Sequence, residues 1–234
     1  MSSAAPNDKP KTLRIGVLYE EVQLTDIAGL DILGNMSTKI FNLVSNVLPN
    51  IAPLKPYAVD MEFLYISSST ELAWATPEMY IKPTHTYDNA PRDLDIIMLG
   101  GPDPQNVSEA SLTFLQEASK QTKAILATCT GGMWLARSGI LDGKKATTNR
   151  MLLGAAKHVF PQVEWQDERW IIEEGHFEGA QIWTSGGAKC GIDMVIEYAL
   201  QNFHEKMVAQ SCQSLEFEIE GRSKVYSGPF VPVV

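Results

Sequence analysis

The sequence predicts an α/β protein built on a mainly parallel β-sheet, and three observations carry that reading. Short runs apolar on consecutive rather than alternate positions mark strands buried on both faces. Helical stretches alternate with those runs, as a parallel sheet covered on both sides requires. One run, Ala124-Ile125-Leu126-Ala127-Thr128, ends on Cys129 and turns at once into a glycine-opened helix, at the sheet edge where such folds place their chemistry.

The elements follow in order. Residues Met1 to Lys11, rich in Ser, Pro, Asn and Lys without periodicity, are expected to be a mobile tail, leaving residues 12–234 as one domain. Strands are predicted at Leu13–Leu18, Met61–Ile66, Leu94–Leu99, Ala124–Thr128 and Gln181–Ser185. Helical stretches are predicted over Ile27–Val47, over Ser108–Gln121 with Ser108 as N-cap and Glu109 in the first turn, and over Ala188–Phe203. Pro49 to Pro56 reads as a proline-punctuated loop. Val163–Gly179, with two tryptophans and clustered charge, reads as a hairpin. Trp74, Trp134, Trp165, Trp170 and Trp183 are core residues or pocket walls; Trp74, Met133, Trp134 and Trp183 would give an apolar cavity tolerant of aromatic groups.

Composition narrows the function classes. With 28 acidic against 19 basic residues the net charge is −9, which opposes a general affinity for nucleic-acid phosphates and leaves small molecules as the expected partners. Three cysteines, Cys129, Cys190 and Cys212, have no close spacing and no histidine cluster, so neither a disulfide framework nor a metal site is predicted. No apolar segment reads as a secretory signal or a membrane span, and the expected location is cytoplasmic. No cofactor is called for.

Cys129 is the candidate nucleophile: it stands at a strand end facing a helix N-terminus, which favours thiolate over thiol. The competing reading is a small buried hydrophobe. Asp26, just past the first strand, is the candidate acid/base, because a carboxyl held in a partly dry crevice titrates nearer neutrality. Its alternative is a helix cap, and Glu21 is a second candidate acid. Gly100 and Gly101 end the third strand, where the backbone can approach a ligand closely. The N–H groups of Gly101 and Thr130 are expected to converge on charge developing beside the sulfur.

Together these residues resemble the ThiJ/PfpI superfamily, relatives of class I glutamine amidotransferases. The first-loop acid and glycine match Asp26-Ile27-Ala28-Gly29, the glycine turn matches Leu99-Gly100-Gly101, and the nucleophile elbow matches Cys129-Thr130-Gly131-Gly132. Gly139–Thr148 and Thr184–Asp193 are similar to further signatures. The resemblance spans roughly residues 13 to 203 and implies a flavodoxin-like three-layer sandwich, commonly a homodimer. An aspartate in an Asp-x-x-Gly setting with a Cys-Thr elbow resembles the isocyanide hydratase branch. That implies a cofactor-free lyase in which Cys129 forms a thioimidate, Asp26 moves the proton, Thr130 assists, and an N-substituted formamide leaves. Where most members carry a histidine after Ala146-Thr147-Thr148, this chain has Asn149, so a Cys-His dyad is not expected. Gly100, Trp134, Asn149 and Gly187 are the expected pocket residues. Alternatives are a glyoxalase III-like or deglycase-like enzyme acting on 2-oxoaldehydes, and a redox or stress sensor that uses oxidation of Cys129. A ligand domain of a transcription regulator is the weakest expectation, because about thirty residues beyond Phe203 leave no room for a DNA-binding module.

Overall fold

The computed structural model describes residues 12–231, and the tail expected over residues 1–11 lies outside the described residues. The first strand, β1, is Leu13–Leu18, followed by a 3-10 turn at Leu24–Ile27 and helices α1 (Leu30–Asn35) and α2 (Thr38–Val47). Strand β2 (Met61–Ser67), a small hairpin of β3 (Ala73–Ala75) and β4 (Met79–Ile81), and a short β5 (His85–Thr86) come next. Then follow β6 (Ile96–Leu99), α3 (Glu109–Ala118), β7 (Ala124–Thr128) and α4 (Gly131–Arg137). The rest comprises β8 (Lys145–Ala146), α5 (Leu153–Val159), β9 (Glu164–Trp165), β10 (Trp170–Glu174), β11 (Gln181–Ser185), α6 (Ala188–Asn202) and α7 (Glu205–Ser214).

Seven strands form one sheet in the order β10-β11-β7-β6-β1-β2-β5. All pairings are parallel except β10 with β11. The consecutive apolar residues of the central strands have a direct explanation in the pleat. Along β7, Ile125 and Ala127 enter the core shared with Phe114, Trp134 and Leu135, while Ala124 and Leu126 enter the core shared with Phe41, Trp183 and Met194. Strand β6 does the same, Ile97 and Leu99 on one side and Ile96 and Met98 on the other. The expected α/β sandwich with a mainly parallel sheet is therefore the observed architecture.

Several local expectations change. The single helical stretch over Ile27–Val47 is divided, because Ser37 caps α2 by accepting from the Ile40 amide at 3.3 Å while its hydroxyl donates to the Gly34 carbonyl at 2.6 Å. The proline loop winds as 3-10 turns over Pro49–Tyr57. The hairpin expected within Val163–Gly179 is displaced: β10 pairs with β11, whereas β9 pairs in parallel with β8. Ser108 does cap α3, accepting from the Ser111 amide. Among the described residues no helix is long and apolar enough to cross a membrane.

Trp183 is fully buried against Tyr198 in a T-shaped ring contact with centroids 5.7 Å apart. Trp183→Ala is expected to lower the unfolding free energy by about 3–5 kcal/mol in urea titration. Ser108→Ala, which removes one cap, is expected to cost about 1 kcal/mol.

Candidate active site

Cys129 closes β7 in the left-handed region, at φ 59°, which costs a non-glycine residue roughly 1–2 kcal/mol. Three hydrogen bonds hold it there. Its N–H is shared between the carbonyls of Gly186 (2.8 Å) and Ser185 (3.1 Å), at the end of β11, and its own carbonyl accepts from Thr148 Oγ1 at 2.9 Å. The glycines behind it are a packing requirement: a Cβ at Gly132 would lie 2.5 Å from the Thr147 carbonyl oxygen. The backbone thus turns sharply enough to present the sulfur at the carboxyl ends of β1, β6, β7 and β11.

Two side chains meet that sulfur from different loops. Asn149 Nδ2 donates to Cys129 Sγ at 3.2 Å. Its orientation is fixed at the other end, where Oδ1 accepts from the Met151 amide at 3.0 Å and caps the following 3-10 turn. Asp26 comes from the 3-10 turn after β1, is only 5% exposed, and has its carboxyl within reach of the thiol. Asp26 Oδ2 accepts from the Gly101 amide at 3.1 Å, while Oδ1 is buried with no partner of ordinary hydrogen-bond geometry and is the oxygen left to take a proton.

Burial governs the electrostatics. It pushes the Asp26 carboxyl up to about 6, although the thiol and the Gly101 amide both pull it down. The Cys129 thiol is pushed up to about 11, first by burial and then by the Asp26 charge; donation from Asn149 and from the Thr130 amide offsets only part of this. Burial therefore acts against the expected thiolate. The helix behind the sulfur, α4, has seven residues, and its small dipole does not outweigh desolvation beside a carboxylate. Burial favours the neutral form of each group, and the two hold one proton between them.

The other predicted residues fall as follows. The Gly101 N–H is committed to Asp26, so the expected two-amide hole is not assembled; Gly101 instead lets the acid come close, since a Cβ there would lie 2.8 Å from Asp26 Oδ2. The Thr130 hydroxyl donates to the Pro102 carbonyl at 2.7 Å, and its amide faces the sulfur. Gly100 packs against Asp26 and Ile27, and Gly187 faces Asn149, with a Cβ built on it 3.7 Å from Nδ2. Trp134 is corrected from pocket wall to core: it is fully buried and donates from Nε1 to Ser111 Oγ at 3.0 Å. Asp26 makes no cap bond, and Glu21 is exposed. Cys190 and Cys212 are both buried. Sequence reasoning missed Thr148 and the Ser185 and Gly186 carbonyls, which no side-chain motif announces because the backbone supplies the contacts. Among the described residues no group of three or more His, Cys, Asp or Glu is placed to hold a metal ion.

A buried acid and a strained cysteine on the edge of a parallel sheet define a class. The sequence profile of the DJ-1/PfpI family matches residues 51–201, and the chain belongs to this family. An isonitrile hydratase of Pseudomonas putida is 26% identical over 215 residues, covering 89% of this chain and 78% of that protein. The HTH-type transcriptional regulator GbdR of Pseudomonas aeruginosa is 33% identical over 124 residues, covering 53% of this chain. The chain spans 32% of that regulator's length. Among solved structures, a ThiJ/PfpI family protein from Pseudomonas syringae superposes with a TM-score of 0.69 at 18% identity, covering 98% of this chain and 86% of the other. DJ-1beta from Drosophila melanogaster superposes at 0.65 and 14% identity, over 89% of this chain and all of the other. Both share the fold.

Asp26 titrates higher folded than at its ordinary 3.8, so its contribution to stability is complete below that value and is lost as pH rises through about 6. Asp26→Asn is therefore expected to stabilise the protein by about 3 kcal/mol at pH 7.5 and to leave it unchanged at pH 3, read from urea unfolding. Equal effects at both pH values would remove burial of the carboxylate as the cause.

Proposed function

We propose that the protein is a cofactor-free lyase that hydrates an isocyanide to an N-substituted formamide through a thioimidate on Cys129. The observation that carries this reading is the one-proton pair formed by Asp26 and Cys129, flanked by an amide donor, Asn149, where an imidazole would otherwise stand. Hydrolysis of an amide requires a group that protonates a poor leaving amine, and this site offers one carboxyl for that whole task. Hydration of an isocyanide has no leaving group. It needs a proton moved from sulfur to carbon, which a single carboxyl performs. Likeness to an isonitrile hydratase over most of the chain supports the same assignment.

The steps balance on these residues. Sulfur bonds to the terminal carbon of R–N≡C as its proton passes to Asp26 Oδ1, and Asn149 and the Thr130 amide stabilise the charge on sulfur during transfer. Asp26 returns that proton to the carbon, which yields R–N=CH–S–Cys129. Water adds across the C=N bond, hydroxyl to carbon and hydrogen to nitrogen. The C–S bond then breaks with its electron pair on sulfur, the hydroxyl proton returns to sulfur through Asp26, and R–NH–CHO departs.

The buried, protonated thiol favours a second reading in the same family, a ligand-binding module that performs no chemistry, as likeness to part of a transcriptional regulator would allow. An assay with an aromatic isocyanide, followed by formamide absorbance, separates the two. Turnover is expected to rise through pH about 6 as Asp26 loses its proton and to fall near about 11 as Cys129 loses its own. Cys129→Ser should abolish it, and Asp26→Asn should lower it by roughly 10²–10⁴-fold. Wild-type protein inert toward isocyanides, or Asp26→Asn fully active, overturns the proposal; turnover of methylglyoxal alone moves the assignment to 2-oxoaldehydes.

A further inference from the structure

We infer that Tyr226, far along the chain from the elbow, is a positioning residue for Cys129, bracing the turn whose carbonyl holds the nucleophile's amide. The inference rests on the reading of Cys129 as the reacting group. The carbonyl in question is that of Gly186, 2.8 Å from the Cys129 N–H and the shorter of the two that share it, so a displacement of Gly186 loosens the left-handed elbow. Gly186 is fixed at three points. Its N–H donates to the Arg169 carbonyl at 2.9 Å, its carbonyl takes the Cys129 amide, and its α-carbon lies against the Tyr226 hydroxyl. A Cβ built on Gly186 would sit 2.3 Å from that hydroxyl, a separation that only glycine allows. The same hydroxyl lies 3.6 Å from Cys190 Sγ in the first turn of α6.

A residue so far along the chain reaches this point because two arginines hold its segment down. The Arg169 N–H donates to the Lys224 carbonyl at 2.8 Å, and Arg169 Nη1 donates to the Ser223 carbonyl at 3.3 Å. Arg150 lies over the Tyr226 ring, 4.0 Å from its centroid, and is itself locked by a two-pronged pair with Asp167 at 2.6 and 2.7 Å and by donation to the Gly228 carbonyl at 2.8 Å. Arg150 directly follows Asn149, whose amide touches the sulfur. Two of the contacts that set the cysteine's posture, the Gly186 carbonyl on its backbone and the Asn149 amide on its side chain, thus come from stretches that adjoin one aromatic ring. The ring belongs to a segment beyond the part of the chain that the family profile covers.

Loosening the brace would let water reach the sulfur, and since burial is the largest influence holding the thiol protonated, the expected direction is easier ionisation. Asp26 is the ionisable group against the sulfur; Cys190, Tyr226 and Arg169 surround Gly186. The test is iodoacetamide alkylation of the full chain across pH, with Cys129 resolved from Cys190 and Cys212 by peptide mass spectrometry and folding checked by circular dichroism. Tyr226→Ala is expected to lower the pH midpoint of Cys129 alkylation by one unit or more and to speed alkylation at pH 7.5 about tenfold. Gly186→Ala, whose new methyl must displace the hydroxyl, is expected to shift the midpoint in the same direction, and adding Tyr226→Phe to it should restore the wild-type profile. An unchanged Cys129 profile in folded Tyr226→Ala, or a Gly186→Ala shift that Tyr226→Phe fails to relieve, overturns the inference. Isocyanide turnover by the wild type is scored separately: its absence with the alkylation shifts present defeats the hydratase assignment alone, and its presence with no shifts defeats the brace alone.

Discussion

The left-handed backbone at Cys129 is the constraint on which the remaining arrangement depends. A cysteine gains nothing intrinsic from that conformation, so it persists only because the Ser185 and Gly186 carbonyls and the Thr148 hydroxyl saturate its peptide groups from two other loops. Those loops must in turn sit close behind it, which explains the glycine at position 132 and the short parallel strands on either side. The sheet supplies rigidity, the loops supply partners, and the sulfur is left facing the acid that follows β1.

What results is a site whose ground state is deliberately uncomfortable. A carboxyl group is kept nearly dry with one oxygen lacking an ordinary partner, and burial raises the titration of the thiol beside it. Each group shifts the other's titration, so the two are better regarded as sharing a proton than as separate acid and nucleophile. Such a pair is suited to moving one proton over a short distance on the arrival of an electrophile, and it is poorly suited to chemistry that demands a standing thiolate. The stability given up by burying Asp26 is recovered in cores of ordinary kind, on both faces of the sheet.

The architecture was legible because the central strands are short, continuously apolar and bounded by turn residues, and because Ser108 and Cys129 mark element ends by their chemistry. Cys129 and Asp26 were legible as a pair from their places after β7 and β1. The division of α1 from α2 was not, since Ser37 acts through a backbone contact that a helical apolar pattern conceals. Nor was the committed Gly101 amide: a glycine at a strand end announces a close approach, and only coordinates say that the approaching group is Asp26 rather than a ligand. The thiol's high titration was hidden for a similar reason, because the benefit of a helix end is visible in sequence whereas the depth of burial is a property of the assembled loops. Trp134 was ambiguous by type and was resolved by its hydrogen bond to Ser111, a residue 23 positions earlier.

The fixed amide of Asn149 carries one more consequence. With its oxygen engaged by the Met151 N–H, the group can give a hydrogen bond to sulfur and can never accept one from it. The sulfur atom therefore has a giving neighbour on one flank and a receiving neighbour on the other. Hydrogen passes between the cysteine and the first loop rather than toward Asn149, and that choice of flank is imposed by a 3-10 turn that itself takes no part in bond making.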